Sequence, residues 1–439
     1  MVIKPGRGGG TLFVEPIRRI RAEIKVPGDK SISHRAAIIA AIAEGESVIE
    51  NFLPGEDCLG TLRCLEQLGV EFYAESERTT VRGVGDEGLQ KPGARLDAGN
   101  SGTTIRLLSG LLCGQSFGCE LTGDASLRKR PMNRVILPLR LMGADISSVG
   151  NNGRAPLRIR GSRLRGIEYQ MPVASAQVKS ALLLAALYAE GVTRIIEPVK
   201  TRNHTELMLR SLGADVAAGE REIICRPGRR LKAGTIIVPG DISSAAFFLV
   251  LGTIADDGEI YLPQVGLNPT RTGVIEVLRE MGANIEISNL RIVAGEARGD
   301  LRVRSSPLRG VEIGKAVIPR LIDEIPVLAA AACYAVGTTV IRDAQELRVK
   351  ESNRIRTVVR ELGRIGADIR ETPDGMIVRG RGGLTGGEAE SHGDHRVAMA
   401  LAVAGLGSRE GVKINGSECV AVSYPGFFAE LTKLRGEVG

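Results

Sequence analysis

The sequence predicts an α/β protein made of six copies of one repeat, arranged as two similar domains of three repeats each. Three observations lead there. A small-residue apolar helix with a polar start recurs at 31–43, 101–112, 175–187, 243–255, 322–333 and 394–406, its starts 70, 74, 68, 79 and 72 residues apart. A second helix follows each start after about 30 to 36 residues and mostly ends in a Leu-Gly-Ala-like stop, at 62–69, 137–144, 207–214, 277–283, 358–367 and 427–434. Finally, Val26-Pro27-Gly28-Asp29 with Ser31 is echoed near mid-chain by Val238-Pro239-Gly240-Asp241 with Ser243, the mark of an internal duplication.

Taken in order, each repeat reads strand, helix, strand, helix, strand, strand. Residues 145–148, the turn 151–153 and residues 156–160 show the closing hairpin: alternating apolar residues either side of an Asn- and Gly-containing turn. The first helix is the most informative. A Pro-Gly turn leads through Asp29 into Lys30, Ser31, Ser33, His34 and Arg35, a cluster of cations and hydroxyls at the positive end of a helix, where anions are favoured. The Ala- and Ile-rich run behind them is predicted to be buried and to hold them rigidly. The Lys-Ser pair does not make a nucleotide P-loop, because Glu23 and Val26 stand where that motif has glycines.

Composition narrows the function classes. With 439 residues, 43% hydrophobic and 25% charged, the chain supports two or three buried cores. The net charge of +7 suits either nucleic acid or small, highly charged anions. Aromatic residues are only 3%, Trp is absent and no long Lys/Arg run occurs, so nucleic acid is disfavoured and a local cationic site is expected. Apolar runs such as 245–255 are too short to span a membrane, and residues 1–10 lack the apolar core of a signal peptide. Seven cysteines without a CxxC pair and four scattered histidines suggest neither zinc nor a disulfide framework, so a reduced cytoplasmic protein is expected.

Read by themselves, Asp323 and Glu324 suit the acidic start of a helix, and Lys350, Glu351 and Arg354 suit a surface ion-pair ladder. Their order among other motifs changes that reading. Gly28-Asp29-Lys30-Ser31, Gly99-Asn100-Ser101-Gly102-Thr103, Lys129-Arg130-Pro131 and Ser175-Ala176-Gln177-Val178-Lys179 occur in sequence. Arg202-Asn203-His204-Thr205-Glu206, Asn268-Pro269-Thr270-Arg271, Arg348 to Arg354 and Asp394-His395-Arg396 follow. Together they resemble the enolpyruvyl transferase family, and its class II branch in particular, over nearly the whole chain.

The resemblance implies the family's fold, an inverse barrel of βαβαββ repeats in two domains with the active site in the cleft between them. One domain would comprise residues 1–24 and 238–439, the other 25–237. It implies transfer of the enolpyruvyl group of phosphoenolpyruvate to the 5-hydroxyl of shikimate 3-phosphate, with no metal or organic cofactor and a monomeric enzyme. Carried over residue by residue, Ser31 and Arg35 would hold the shikimate carboxylate. Ser175, Arg202 and Lys350 would hold its phosphate, with Gln177 along the ring. Arg354 and Arg396 would grip the phosphoenolpyruvate carboxylate, while Lys30, Arg130, Gln177 and the Gly102 amide would face its phosphate. Asp323 would orient the 5-hydroxyl and take its proton. Lys30 and Glu351 are both candidates for the acid at the methylene carbon, and His395 is read as structural or supporting.

Two departures stand out. Val422 precedes Ser423-Tyr424-Pro425 where some relatives have Lys, and Ala176 replaces a Ser of another branch. A sister transferase acting on a UDP-amino sugar would carry a Cys in the loop 127–131, which here reads Leu-Arg-Lys-Arg-Pro. The resemblance also implies that glyphosate competes with phosphoenolpyruvate. Tolerant class II members can have Ala at the position of Gly102, so sensitivity is expected here.

Overall fold

A helix that is apolar on every side must be covered on every side. The first helices of the six repeats obey this rule. The computed structural model describes residues 3–5, 10–75 and 77–434, and it divides into two compact units. One consists of Gly28–Val238 with Ile292–Glu296, and the other of the described residues within Met1–Pro27, Pro239–Arg291 and Ala297–Gly439. Residues 1–2, 6–9 and 435–439 of the domain expected at 1–24 and 238–439, and residue 76 of that expected at 25–237, lie outside the described residues. The transfer of 292–296, a hairpin tip, has no signal in the sequence.

The unit containing Gly28–Val238 carries helices α1 (Lys30–Ala41), α2 (Glu56–Gln67), α3 (Gly102–Cys113), α4 (Asn133–Leu141), α5 (Ala176–Ala186) and α6 (His204–Ser211). Its core is built on α3, which packs against both α1 and α5. Around these helices lie three four-stranded sheets with one common pairing. In each, a first strand runs parallel to a second, and the closing hairpin adds two antiparallel strands. The hairpin Asp145–Ser148 and Leu157–Arg160 pairs Leu157 with Ser148 and Arg160 with Asp145.

The other unit carries α7 (Ile242–Ile254), α8 (Gly273–Met281), α9 (Ile318–Leu321), α10 (Ile325–Tyr334), α11 (Arg354–Arg364), α12 (His395–Gly407) and α13 (Phe427–Lys433). Here α7, α10 and α12 all pack on one another, each with nearly every residue buried. Three four-stranded sheets surround them. Each again has one parallel pair, between Arg19–Glu23 and Asp257–Gly266, Glu312–Ile313 and Val336–Ile341, and Gly387–Glu390 and Val412–Asn415.

Two strands are exchanged relative to chain order. Arg19–Glu23, which precedes α1, pairs with Asp257–Gly266, which follows α7. Thr235–Ile237, which precedes α7, pairs with Glu44–Glu50, which follows α1. The sixth repeat is closed by the start of the chain, where Ile3–Pro5 and Leu12–Val14 supply its hairpin beside Val412–Asn415. The six-repeat reading therefore holds, with the last repeat circularly completed.

Helix boundaries differ from the sequence reading in a regular way. The second helices start three to six residues earlier than expected, except α13; in α2, α6 and α11 a polar first turn lies outside the apolar pattern. They stop where expected: Gly69, Gly143, Gly213, Gly282 and Gly366 all take φ between +89° and +107°, a left-handed cap that glycine adopts without strain. The helix expected over 322–333 opens as a 3-10 turn, Ile322–Glu324, before α10. Among the described residues, no helix is long and apolar enough to cross a membrane, and no cluster of His, Cys, Asp and Glu could hold a metal.

The packing of α3 on α5 depends on Gly110. A Cβ there would lie 2.0 Å from the backbone oxygen of Ala181 on α5. Gly110→Ala is expected to force α3 and α5 apart at a cost of about 3 kcal/mol, the upper end for overpacking. Thermal unfolding should then fall by roughly 6–12 °C, at about 2–4 °C per kcal/mol for a domain of this size. An unchanged midpoint would show that the helices separate freely.

Candidate functional site

A buried helix must dispose of the unpaired N–H groups in its first turn. In the Gly28–Val238 unit the starts of α1, α3 and α5 do so with side-chain caps. Asp29 accepts from the Ile32 amide at 2.9 Å, Ser101 from Thr104 at 3.1 Å, and Ser175 from Val178 at 3.4 Å. Further side-chain bonds tie the three starts together. Gln177 on α5 donates to the Thr103 hydroxyl at 3.0 Å and accepts from Arg106 of α3 at 2.5 Å. Arg35 on α1 donates to the Ser180 hydroxyl of α5 at 2.9 Å, to Thr205 of α6 at 2.8 Å, and to the Ser31 carbonyl at 2.8 Å.

Gly102, first residue of α3, sits under two guanidinium groups. A Cβ on it would lie 2.8 Å from Arg106 Nη1 and 3.2 Å from Arg130 Nη1. Arg130 is held by Asn100, to whose side-chain oxygen it donates at 2.5 Å. The missing side chain thus lets two cations close over the positive end of a buried helix. That is a cradle for an anion. Lys30, the first residue of α1, lies 2.9 Å from Asp57 Oδ2, both largely buried. Ser31, Ser175, Gln177 and Arg202 are half-buried, Arg202 in the loop before α6.

Beneath this surface runs a chain of buried hydroxyls. His34 Nδ1 lies 2.7 Å from the Thr61 hydroxyl, which lies 2.7 Å from that of Thr104, which donates to Ser101 Oγ at 2.7 Å. The chain fixes the start of α3 relative to α1. Burial, and then the charges of Lys30 and Arg35, push the His34 imidazole well below its usual pKa of 6.5, against a smaller opposing effect of Asp29.

In the other unit the starts of α7, α10 and α12 are grouped in the same manner. Asp241 caps α7 and Asp394 caps α12. Ser243 of α7 donates to Glu324 at the start of α10, and Arg271 donates to Ser243 at 2.7 Å. Arg396 of α12 donates to the Asp323 carbonyl at 3.3 Å.

Beside these starts lies the fully buried Arg354, the first residue of α11. Its Nε donates to Asp394 Oδ2 at 2.8 Å and its Nη1 to Asp323 Oδ1 at 3.3 Å. Its Nη2 donates to Glu351 Oε2 at 2.5 Å and to Asp394 Oδ1 at 3.3 Å. Burial opposes the charge, but the fields of Asp394, Glu351 and Asp323 outweigh it and hold the guanidinium above its ordinary pKa. Lys350 Nζ is 3.7 Å from Asp323 Oδ1. The residues read as a surface ladder are instead a densely paired cluster around the buried Arg354, with Lys350 and Glu351 half-buried. His395 is buried in the first turn of α12.

The structure thus brings Lys30, Ser31, Arg35, Gly102, Arg130, Ser175 and Gln177 to helix starts or their edges in one unit. Asp323, Lys350, Glu351, Arg354 and Arg396 form a linked set in the other. Val422, where some relatives have Lys, ends the 3-10 turn Ser417–Val422 and is half-buried. The sequence reading gave no role to Arg106, Asp57, Glu324 or Asp394. Arg106 had a signal, since it follows Gly102 by four residues and so shares its helix face. Asp57 had none: its partner Lys30 lies 27 residues away across a strand.

A family model described as EPSP synthase (3-phosphoshikimate 1-carboxyvinyltransferase) matches residues 14–431. A relative named 3-phosphoshikimate 1-carboxyvinyltransferase from Desulforudis audaxviator is 54% identical over 428 residues, covering 97% of this chain and 100% of the relative. One of the same name from Gloeobacter violaceus is 55% identical over 429 residues, covering 97% and 99%. Among solved structures, EPSP synthase from Acinetobacter baumannii matches with a TM-score of 0.87 at 45% identity, covering 97% of this chain and 98% of that one.

The depressed His34 pKa makes a pH prediction. Unfolded chains protonate this histidine below about pH 6.5, and the native state does so only at lower pH. Its contribution to stability is therefore complete above that pH and is lost as pH falls towards the folded pKa. Denaturant unfolding of His34→Gln at pH 7, 6 and 5 should show a shallower loss of stability than the unsubstituted protein. Parallel profiles would mean that His34 takes up its proton as readily folded as unfolded.

Proposed function

The chain belongs to the EPSP synthase family, and we propose that the two groups of helix starts described above bind and convert that family's substrates. The reaction transfers the enolpyruvyl group of phosphoenolpyruvate to the 5-hydroxyl of shikimate 3-phosphate and releases phosphate. The observation that carries the residue assignment is the cradle at Gly102, where a helix N-terminus, Arg106, Arg130 and Gln177 converge around a missing side chain.

In this reading the cradle, with Lys30, takes the phosphate of phosphoenolpyruvate, the group that leaves. Charge grows there as the carbon–oxygen bond breaks, so fixed donors already in place lower the barrier. Ser31 and Arg35 hold the carboxylate of shikimate 3-phosphate. Ser175, Arg202 and Lys350 hold its phosphate, and Gln177 lies along its ring. Arg354 and Arg396 take the carboxylate of phosphoenolpyruvate. Planar guanidinium groups suit paired oxygens and a Lys acts as a point charge, which matches the carboxylate and phosphate assignments.

The chemistry is addition followed by elimination. The methylene carbon gains a proton, the 5-hydroxyl oxygen attacks the adjacent carbon, and the tetrahedral intermediate loses phosphate and a proton to restore the double bond. Asp323 orients the hydroxyl and accepts its proton, while Lys30 or Glu351 supplies the proton at the methylene. The same reading makes the protein a cytoplasmic monomer that works on small molecules without a metal or organic cofactor.

Phosphate release on mixing both substrates, with each omitted in turn, tests the reaction. Release requiring both substrates is expected, and release from phosphoenolpyruvate alone would overturn it. Lys30→Met, Asp323→Ala and Glu351→Ala should each lower kcat roughly a hundredfold or more with circular dichroism unchanged. Near-normal turnover of a folded Asp323 variant would remove Asp323 from the catalytic set.

Inhibition by glyphosate tests the cradle itself. With Gly102 the protein should be sensitive. The methyl of Gly102→Ala would press on Arg106 and Arg130, and glyphosate, longer than phosphoenolpyruvate, should suffer more. An overpacking cost of about 1–3 kcal/mol corresponds to roughly one to two powers of ten in the inhibition constant. The Michaelis constant for phosphoenolpyruvate should rise less. A tolerant unsubstituted protein, or equal sensitivity of the variant, would show that Gly102 does not set the length of the pocket.

A further inference from the structure

The last residue of the Ser175-Ala176-Gln177-Val178-Lys179 motif has no place in the reading above. Lys179 is wholly buried, so it is out of reach of a ligand. Its Nζ lies 3.0 Å from Glu197 Oε2 and 2.6 Å from Glu206 Oε1, and both carboxylates are as buried as the lysine. Glu197 stands at the end of the strand Thr193–Ile196, and Glu206 lies in the first turn of α6. The two ends of the connecting loop, which carries Arg202, are thus drawn to one cation on α5.

The loop is fixed at further points. Glu197 Oε1 accepts from the Thr201 amide at 3.1 Å and from the Thr201 hydroxyl. The Glu197 carbonyl accepts from Arg221 Nε at 3.0 Å. Next to Lys179, Ser180 lies 2.7 Å from the hydroxyl of Thr205, to which Arg35 also donates. One turn before Lys179 on the same helix is Ser175.

Burying three charges to obtain two ion pairs costs several kcal/mol per ion, and an apolar replacement is often as stable. Stability alone is therefore a weak account of this cluster. We propose that Lys179 is a positioning residue that sets the Arg202 loop against the Ser175 start of α5, and so shapes the pocket for the phosphate of shikimate 3-phosphate. The proposal rests on the assignment of Arg202 and Ser175 to that phosphate. A displacement of the order of 1 Å in such a loop is enough to change affinity strongly.

The test is steady-state kinetics on Lys179→Met, Lys179→Arg, Glu206→Gln and Arg202→Ala, with thermal unfolding recorded for each. Lys179→Met should raise KM for shikimate 3-phosphate about tenfold and leave KM for phosphoenolpyruvate and kcat within about twofold, the mark of lost uniform binding. Glu206→Gln keeps one ion pair and the side-chain volume, and should show the same split at about threefold. It keeps the question open to test if Lys179→Met fails to fold. Lys179→Arg should recover most of the affinity. If Arg202→Ala raises KM for shikimate 3-phosphate while folded Lys179 and Glu206 variants lose only thermal stability, the positioning role is overturned and the site reading stands. If Arg202→Ala leaves that KM unchanged, the phosphate assignment itself falls, and this inference with it.

Discussion

Everything in both units follows from burying the start of a helix. A helix covered on all sides cannot offer its first amides to water, so each start needs a cap or another acceptor. The caps Asp29, Ser101, Ser175, Asp241 and Asp394 each take one amide. The partial positive charge that remains is summed by bringing several starts together. A soluble fold would ordinarily keep such positive ends apart, at the surface. Grouping them favours anions nearby, and around α7, α10 and α12 that demand is met in large part by the unit's own carboxylates.

That difference separates the two units chemically although their sheets pair alike. Around α1, α3 and α5 the added groups are mainly cations: Lys30, Arg35, Arg106 and Arg130. Around α7, α10 and α12 they are cations and carboxylates in close alternation: Arg271 with Asp241 and Glu324, Arg354 with Asp323, Glu351 and Asp394, and Arg396 with Glu324. The first arrangement suits holding phosphate. The second keeps carboxyl groups beside cations, where protons can be moved as well as charges held.

The repeat architecture was legible because its signals are local. All-apolar helices at intervals of about 70 residues mark the buried positions, and the glycine after each of the first five second helices marks a left-handed cap. The exchange of Arg19–Glu23 and Thr235–Ile237, and the closure of the sixth repeat by Leu12–Val14, were not legible. A strand's sequence states which face is apolar but not which of six similar edges it joins. In pairing terms the strands before α1 and α7 are nearly interchangeable, since the same Val-Pro-Gly-Asp turn follows both.

The site divides along the same line. Residue types and their order named the cations and acids, and within each unit the structure brings many of them to or beside helix starts. What they touch depends on contacts between distant segments. Arg354 shows the difference. Its pairing with Glu351, three residues earlier, is visible as helical spacing, and by itself suggests an exposed pair worth little. The contact that decides its character is with Asp394, forty residues on, which no periodicity connects to it. Asp394 is committed three times over, to the amide of Arg396, to Arg354 and to the hydroxyl of Ser352. One cap therefore fixes the register of α12, the guanidinium on α11 and the turn before it. Four of the five N–H donors of Arg354 are already engaged by carboxylates. Asp323 and Glu351 are thus held by one side chain, and any rearrangement of its donors changes the freedom of both acids.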